Sequence, residues 1–305
     1  IKEIKSTYWS RKRFEKIYFH WISNLRDWNI SRQVWYGHQI PAWYKNNEIT
    51  VADKSPGDGW NKINDTFDTW FSSGLWTFSS LGWPKDTKDL KTYYPIDVLE
   101  TGYDIVFFWV ARMILMSIFF LGEIPFHTVY LHGLIRDKNR QKMSKSLGNV
   151  IDPITMTEKY GTDALRMALI FNASPGTDSV TSEEKIKGMR NFSNKLWNIT
   201  RFVLENTKNA KISATYTAED KKARSQLERV LKEATKHIES YRFDLASKKL
   251  YTYTWHQFAD RIIENSKLIF RNGTNKEKLS RKKLLLSILE DSVKSLHPFM
   301  PFITE

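Results

Sequence analysis

Lys142 and Lys145 stand three residues apart in the stretch Lys142-Met143-Ser144-Lys145-Ser146-Leu147-Gly148-Asn149. Two ammonium groups, two hydroxyls and a glycine on one short loop can close over phosphates. Lysine then acts as a point charge, and hydroxyls and backbone N–H groups fill the remaining positions. Where a phosphate-bearing leaving group departs, cations of this kind stabilise the charge that builds in the transition state. The alternative is an ordinary solvated basic loop, and a bare Lys-x-x-Lys pair does not exclude it. The elements around the loop therefore matter.

Pro95-Ile-Asp-Val-Leu99 and Thr128-Val-Tyr-Leu131 read as short buried strands, with the apolar stretch Ile105–Leu121 as a helix between them. Thr101-Gly-Tyr-Asp104 has the spacing of a capping box at the start of that helix. A strand, a helix and a parallel strand make one unit of a doubly wound sheet, which binds ligands at the carboxyl ends of its strands. Those ends are Glu100–Asp104 and His132-Gly133, and the basic loop follows the second. Ile105–Leu121 is almost long enough to span a bilayer, but Arg112 at its middle favours a helix buried against the sheet, with no membrane partner. Upstream, residues 31–44 read as packed irregular structure, and residues 45–65 as turns with one short strand.

From about Asp163 the apolar period becomes helical. Ile186 to Val203, Leu227 to Ile238, Phe243 to Ile269 with an offset near Phe258, and Leu284 to Leu296 each trace one stripe, and Asn272-Gly273 marks a turn before the last. The fold expected is an α/β doubly wound (Rossmann-like) half followed by an all-α helical bundle. A net charge of +13 over 305 residues favours a polyanionic partner such as nucleic acid. The absence of cysteine rules out disulfides and thiolate zinc sites and suggests a cytoplasmic protein. The first residue is Ile1 rather than Met and the last residues follow an apolar run, so both ends read as cut from a longer frame.

The loop reads KMSKS letter for letter, the second signature of class I aminoacyl-tRNA synthetases. The segments HGLIRDKNRQKMSKSLGNVIDP, NLRDWNISRQVWYGHQIPAWY, DTFDTWFSSGLWTFSSLGWP, TGYDIVFFWVARM and ASPGTDSVTSEEKIKGMRNFSNKLWN resemble the valyl branch of that family in particular. The likeness runs from Trp21 to the end of the chain. It implies that Lys142 and Lys145 contact the ATP phosphates and the leaving pyrophosphate, with Ser144 and Ser146 beside them. It places Met143, His132 and Gly133 on the adenosine side. Gly102 and Asp104 would lie against the ribose and the amino-acid ammonium, and Trp70, Ile105 and Trp109 would form the walls of the side-chain pocket.

Two indoles and a β-branched residue make a small apolar pocket suited to a branched aliphatic side chain. One methylene in such a pocket is worth only about 1–3 kcal/mol, a limit for which the isoleucyl and valyl enzymes are themselves the usual illustration. In the isoleucyl branch the segment after Ser-Arg-Gln usually continues into Val-Pro, and a polar residue follows the Asp of Gly-x-Asp. Here Ile40-Pro41 and Ile105 stand at those places, and both favour valine.

The resemblance therefore implies activation of valine with ATP, magnesium on the ATP phosphates, transfer to tRNA(Val), and a monomeric full-length protein. The expected division is residues 1–162 as the second half of the catalytic domain, 163–190 as a connector and 191–305 as a helical anticodon-binding domain. The sequence departs from the family in three ways. The first signature, a His-x-Gly-His turn, is absent, and so is the editing domain. The cysteines that some relatives use for zinc near residues 45–62 are also missing, so no zinc is expected. The isolated chain is expected to be inactive. The alternatives are the isoleucyl branch and a non-catalytic tRNA-binding module derived from such an enzyme.

Overall fold

The computed structural model describes residues 8–10, 12–208 and 214–305, and of Lys145 the backbone alone. The chain forms two compact units, Ile1–His132 and Gly133–Glu305.

In the first unit, β1 (Tyr8–Trp9) leads into α1 (Lys12–Ser23). A small antiparallel region follows: β2 (Ser31–Arg32), β3 (Ala42–Lys45), β4 (Glu48–Val51), β5 (Asn61–Lys62) and β6 (Thr66–Phe67). β4-β3-β5 is a three-stranded sheet, where the sequence suggested irregular structure and a single strand. The cue was local. Lys45 pairs with Glu48 across Asn46-Asn47, and Asn46 takes the left-handed conformation (φ +53°) that asparagine tolerates better than most residues. Three short helices follow, α2 (Thr69–Gly74), α3 (Trp76–Ser79) and α4 (Lys88–Tyr93).

The parallel layer is β7 (Ile96–Gly102), α5 (Arg112–Leu121) and β8 (Phe126–His132), with strand order β1-β8-β7. Both β7 and β8 run longer than the sequence pattern showed, and Gly102 lies opposite His132 in the register. The expected capping box does not form. Thr101 is a buried residue of β7, the turn Tyr103–Ile105 is 3-10, and Gly102 at its N-cap offers no side chain. Strand pairing continues through Thr101 and Gly102, so the backbone there is committed to the sheet ladder and cannot cap a helix.

Between that turn and α5, Val106–Ala111 is wound as a π-helix. Helix residues Val106, Val110, Ala111, Met113 and Ile114 enter one core with Leu99, Phe126, Val129 and Leu131 of the strands and Phe14 and Tyr18 of α1. Each such fully buried large side chain contributes roughly 1.5–3 kcal/mol. Tyr103–Leu121 is the one helical stretch among the described residues long and apolar enough to cross a membrane. Its Arg112 is only 8% exposed, and the guanidinium lies 3.4 Å from the centroid of the Trp28 ring. An aromatic face accepts a cation at such depth without a fully buried countercharge.

In the second unit, β9 (Ile135–Arg136) pairs in parallel with β10 (Ser179–Val180), flanking α6 (Pro153–Tyr160) and α7 (Thr162–Ile170). The bundle follows: α8 (Glu183–Asn206), α9 (Ala218–Glu239), α10 (Phe243–Thr252), α11 (Glu264–Asn272), α12 (Asn275–Leu296) and α13 (Pro301–Thr304). The offset in the apolar stripe near Phe258 has a structural cause. Tyr253–Ile263 is wound as a π-helix, whose wider turn shifts the apolar face so that Tyr253, Phe258 and Ile263 all stay buried. The turn at Asn272-Gly273 forms as read, and Thr274 with Glu277 makes a capping box for α12. Arg281, buried on α12, is held by Asp220 (2.8 Å) and Asn265 (2.7 Å), which ties α9, α11 and α12 together.

Candidate functional site

The first cluster of expected site residues sits at the carboxyl ends of β7 and β8. Gly102 is buried there, and a Cβ on it would stand 2.6 Å from Asp104 Oδ1, so a side chain at this position would displace the carboxylate. His132 Nε2 is 3.4 Å from Glu100 Oε1, and both side chains are about half exposed. The Asp104 carboxylate is exposed and makes no hydrogen bond or ion pair with any described residue. It caps neither the 3-10 turn nor the π-helix after it. A carboxylate just past a strand end, without a partner among the described residues, can take a cationic ligand group.

The wall residues sit on the elements beside this end. Trp109 lies on the π-helix, and its Nε1–H donates to the Ser73 carbonyl of α2 at 3.1 Å. Its ring centroid lies 6.1 Å from that of Trp76. Trp70, in the first turn of α2, stacks on Phe108 with centroids 5.7 Å apart. Asp68 caps α2 by accepting from the Trp70 backbone N–H at 2.8 Å, and the same carboxylate pairs with Arg32. Asp68, Ser73 and Phe108 thus fix the two indoles; the small residues Ser72, Ser73 and Gly74 signalled a close backbone approach in the sequence, and nothing there singled out Asp68 or Phe108. Ile105 closes the 3-10 turn and is half-buried, as are Trp70 and Trp109. These side chains present fixed apolar faces of limited area, which can discriminate by size.

The second cluster belongs to the second unit. β9 runs into a tight turn, with Asp137 N–H donating to the Gln141 carbonyl (3.0 Å) and Arg140 N–H to the Asp137 carbonyl (2.9 Å). Arg136 and Lys142 then form an antiparallel bridge. Lys142 is exposed, Met143 and Ser144 are half-buried, and Ser146 is exposed. Ser144 Oγ lies 3.1 Å from Ser146 Oγ and accepts from the Leu147 backbone N–H at 3.3 Å. Lys145 opens the 3-10 turn Lys145–Leu147, and its side chain lies outside the described residues.

Gly133 has a local structural reason besides any ligand. A Cβ there would stand 1.9 Å from the Thr177 carbonyl oxygen, so only glycine permits the approach of the two backbones. Asp178, next along, accepts from Leu134 N–H (3.0 Å) and Arg136 Nε (2.5 Å). Asp137 and Asn149 also escaped the sequence reading. Asn149 hydrogen-bonds across the base of the basic loop and Asp137 anchors it; the only cue was an Asp opening a turn and an Asn closing the loop.

The sequence matches the family of class I tRNA synthetases (I, L, M and V) over residues 1–58 and 50–182, and the anticodon-binding domain of tRNA ligases over 220–305. It is 47% identical over 305 residues to the valine--tRNA ligase of Dehalococcoides mccartyi strain CBDB1, covering 96% of this chain and 34% of that protein. It is 44% identical over 314 residues to the valine--tRNA ligase of Bacillus cereus strain ATCC 14579, covering 100% and 36%. The chain thus spans about a third of the length of these curated relatives. Among solved structures, Mycobacterium tuberculosis methionyl-tRNA synthetase in complex with methionyl-adenylate aligns at TM-score 0.77 and 19% identity, over 97% of this chain and 57% of that one. LeuRS of Agrobacterium radiobacter K84, in a ternary complex with tRNA and LeuAMS, aligns at 0.73 and 21%, over 95% and 42%. Those two likenesses establish the fold. With the family match running through both the strand-end cluster and the basic loop, this chain belongs to the class I tRNA synthetases.

Proposed function

We propose that this chain is part of a valine–tRNA ligase and supplies one half of its ATP and amino-acid site together with the start of its anticodon-binding domain. The observation that carries the reading is the exposed Asp104 carboxylate, without a partner among the described residues, on the turn that leads into the helix bearing Trp109, in a chain 44–47% identical to valine--tRNA ligases. Asp104 takes the ammonium of valine, and Trp70, Ile105 and Trp109 enclose its side chain. A valine carboxylate oxygen then bonds to the α-phosphorus of ATP, the bond to the bridging oxygen breaks, and pyrophosphate leaves. Lys142 and Lys145 meet the charge on that leaving group, with Ser144 and Ser146 beside them. Met143, Gly102, His132 and Gly133 border the adenosine. The tRNA(Val) terminal ribose hydroxyl then attacks the activated carbonyl and AMP departs.

Magnesium belongs to this proposal as a companion of the phosphates. No group of three described His, Asp or Glu side chains is placed to cage it, so phosphate oxygens would be its main ligands. The functional division at 1–162, 163–190 and 191–305, the cytoplasmic location and the monomeric full-length state belong to it as well.

The test is amino-acid-dependent ATP–pyrophosphate exchange by the complete enzyme carrying this segment. Valine is expected to support exchange and isoleucine to support it poorly. Exchange driven by isoleucine would move the chain to that branch, and the absence of exchange with either would leave the tRNA-binding module. The 305-residue chain alone is expected to give no exchange.

A further inference from the structure

The side chain of Asn149 does work that backbone pairing does elsewhere. Its Oδ1 accepts from Ser144 N–H at 2.9 Å, and its Nδ2 donates to the Lys142 carbonyl at 3.3 Å. One amide therefore joins the end of the loop to both ends of Lys142-Met143-Ser144. The same Nδ2 donates to Asp137 Oδ2 at 2.9 Å. Asp137 is itself locked into the preceding turn, because its Oδ1 accepts from Asn139 N–H (2.9 Å) and Gln141 N–H (2.8 Å). The Arg136–Lys142 bridge ties the incoming arm of the loop to the same turn.

The geometry points to Asp137 and Asn149 as a clamp that presets the backbone of the 142–149 loop, so that its two lysines are carried as one unit. Neither residue is a phosphate ligand; they are positioning residues that act through Lys142 and the loop backbone. The inference rests on the proposed use of those lysines in ATP activation. The physical argument is entropic. A loop whose Leu147 is exposed and whose Met143 is only half-buried has no apolar core of its own to hold its shape, and ordering it only when ATP arrives would lower the effective rate of the chemical step. Three charge-assisted bonds to one carboxylate and two bonds from one amide order it in advance. Asp137 is the stronger anchor, because its bonds to Asn149 and to the Gln141 and Asn139 N–H groups hold its carboxyl below the usual range. It stays ionised wherever the enzyme would work.

The clamp has a polarity that can be reversed. Asn149→Asp would set two carboxylates against each other, whereas Asp137→Asn combined with Asn149→Asp restores one donor and one acceptor between positions 137 and 149. In that pair the amide oxygen at 137 still accepts from Asn139 and Gln141, and the carboxylate at 149 still accepts from Ser144.

In the complete enzyme, Asn149→Ala is expected to lower kcat of valine-dependent ATP–pyrophosphate exchange roughly ten- to a hundredfold, the scale of one lost charge-assisted bond with the two neutral bonds beside it. The KM for valine and tRNA binding should stay as in the parent. Asn149→Asp should fall further, and the double variant should recover part of the loss, since it restores the bond between 137 and 149 but leaves the Lys142 carbonyl without its donor. Hydrogen exchange of the backbone amides of 143–148 should quicken in both single variants and slow again in the double. A parental kcat in Asn149→Ala, or a double variant no better than Asn149→Asp, would overturn the clamp. If the parent enzyme gives no exchange with valine, the functional reading fails instead, and loop hydrogen exchange across the same variants still decides the clamp.

Discussion

Trp109 and Lys142 are held by different kinds of contact, and each kind suits the task proposed for it. The indole wall of the first unit is fixed by packing, a capped helix, ring stacking and one indole hydrogen bond to the Ser73 carbonyl. The basic loop of the second unit is exposed and held almost wholly by hydrogen bonds between small side chains and backbone. Selection by size needs a cavity of constant volume, and close packing supplies that. Cations that meet a departing phosphate need reach and tolerance of movement, which an exposed loop supplies. The comparison implies that damage to the loop should appear in kcat, and damage to the wall in KM and selectivity.

The largest effect tests the loop side. Lys145→Ala in the complete enzyme should lower the rate of valine activation by about 10²–10³-fold, the range for removing one preorganised donor to a developing charge. Single-turnover formation of the adenylate would measure it, and an unchanged rate would remove Lys145 from its role. Asp104→Asn tests the other side. Losing the charge opposite the ammonium should raise the KM for valine about ten- to a hundredfold with a much smaller change in kcat. An equal fall in kcat with constant KM would mean that Asp104 acts on the transition state, and the division between wall and loop would fail.

Trp109→Phe sharpens the comparison at finer scale. It removes the Nε1–H donor to Ser73 together with one ring of the indole, so the wall both loses its tether and recedes. One such bond is worth about 0.5–1.5 kcal/mol, so kcat/KM for valine should fall a few-fold and discrimination against isoleucine should loosen. Paired exchange assays with the two amino acids would show it; unaltered selectivity would mean that packing alone fixes the ring. The smallest effect concerns the turn before the loop. Arg140 takes a left-handed conformation (φ +62°) that glycine adopts without strain. Arg140→Gly should stabilise the hairpin by about 0.5–1 kcal/mol after the entropy cost of glycine, read from slower amide exchange at 137–142. Faster exchange would mean that contacts of the Arg140 side chain outweigh the strain.

Much of the architecture was legible because its signals are local. The stripes of α8, α9 and α12 needed only their own periodicity, and the parallel strands around the apolar helix announced themselves as buried runs. The offset at Phe258 was visible, but its cause was not, since a π-turn leaves the same residues buried that a break would expose. Thr101 misled for a related reason. Capping-box spacing is a statement about four residues, whereas the register of β7 against β8 is decided by the partner strand. The β4-β3-β5 sheet was missed because its strands are short and partly exposed, so they carry little apolar alternation.

The sequence by itself determined which residues could do the chemistry. The lysine loop is recognised by type and spacing, whereas the carboxylate of Asp104 and the indoles of Trp70 and Trp109 were named only through the resemblance to the class I synthetases. Only the tertiary structure decided how those groups are held. It left Asp104 without a partner among the described residues, set Gly133 against the Thr177 backbone, and brought Asp137 to Asn149 across the base of the loop. Each of these depends on where the backbone passes relative to residues distant in sequence. Hydrogen bonds with a reach of about 3 Å make that placement, and no pattern along a single chain encodes it directly.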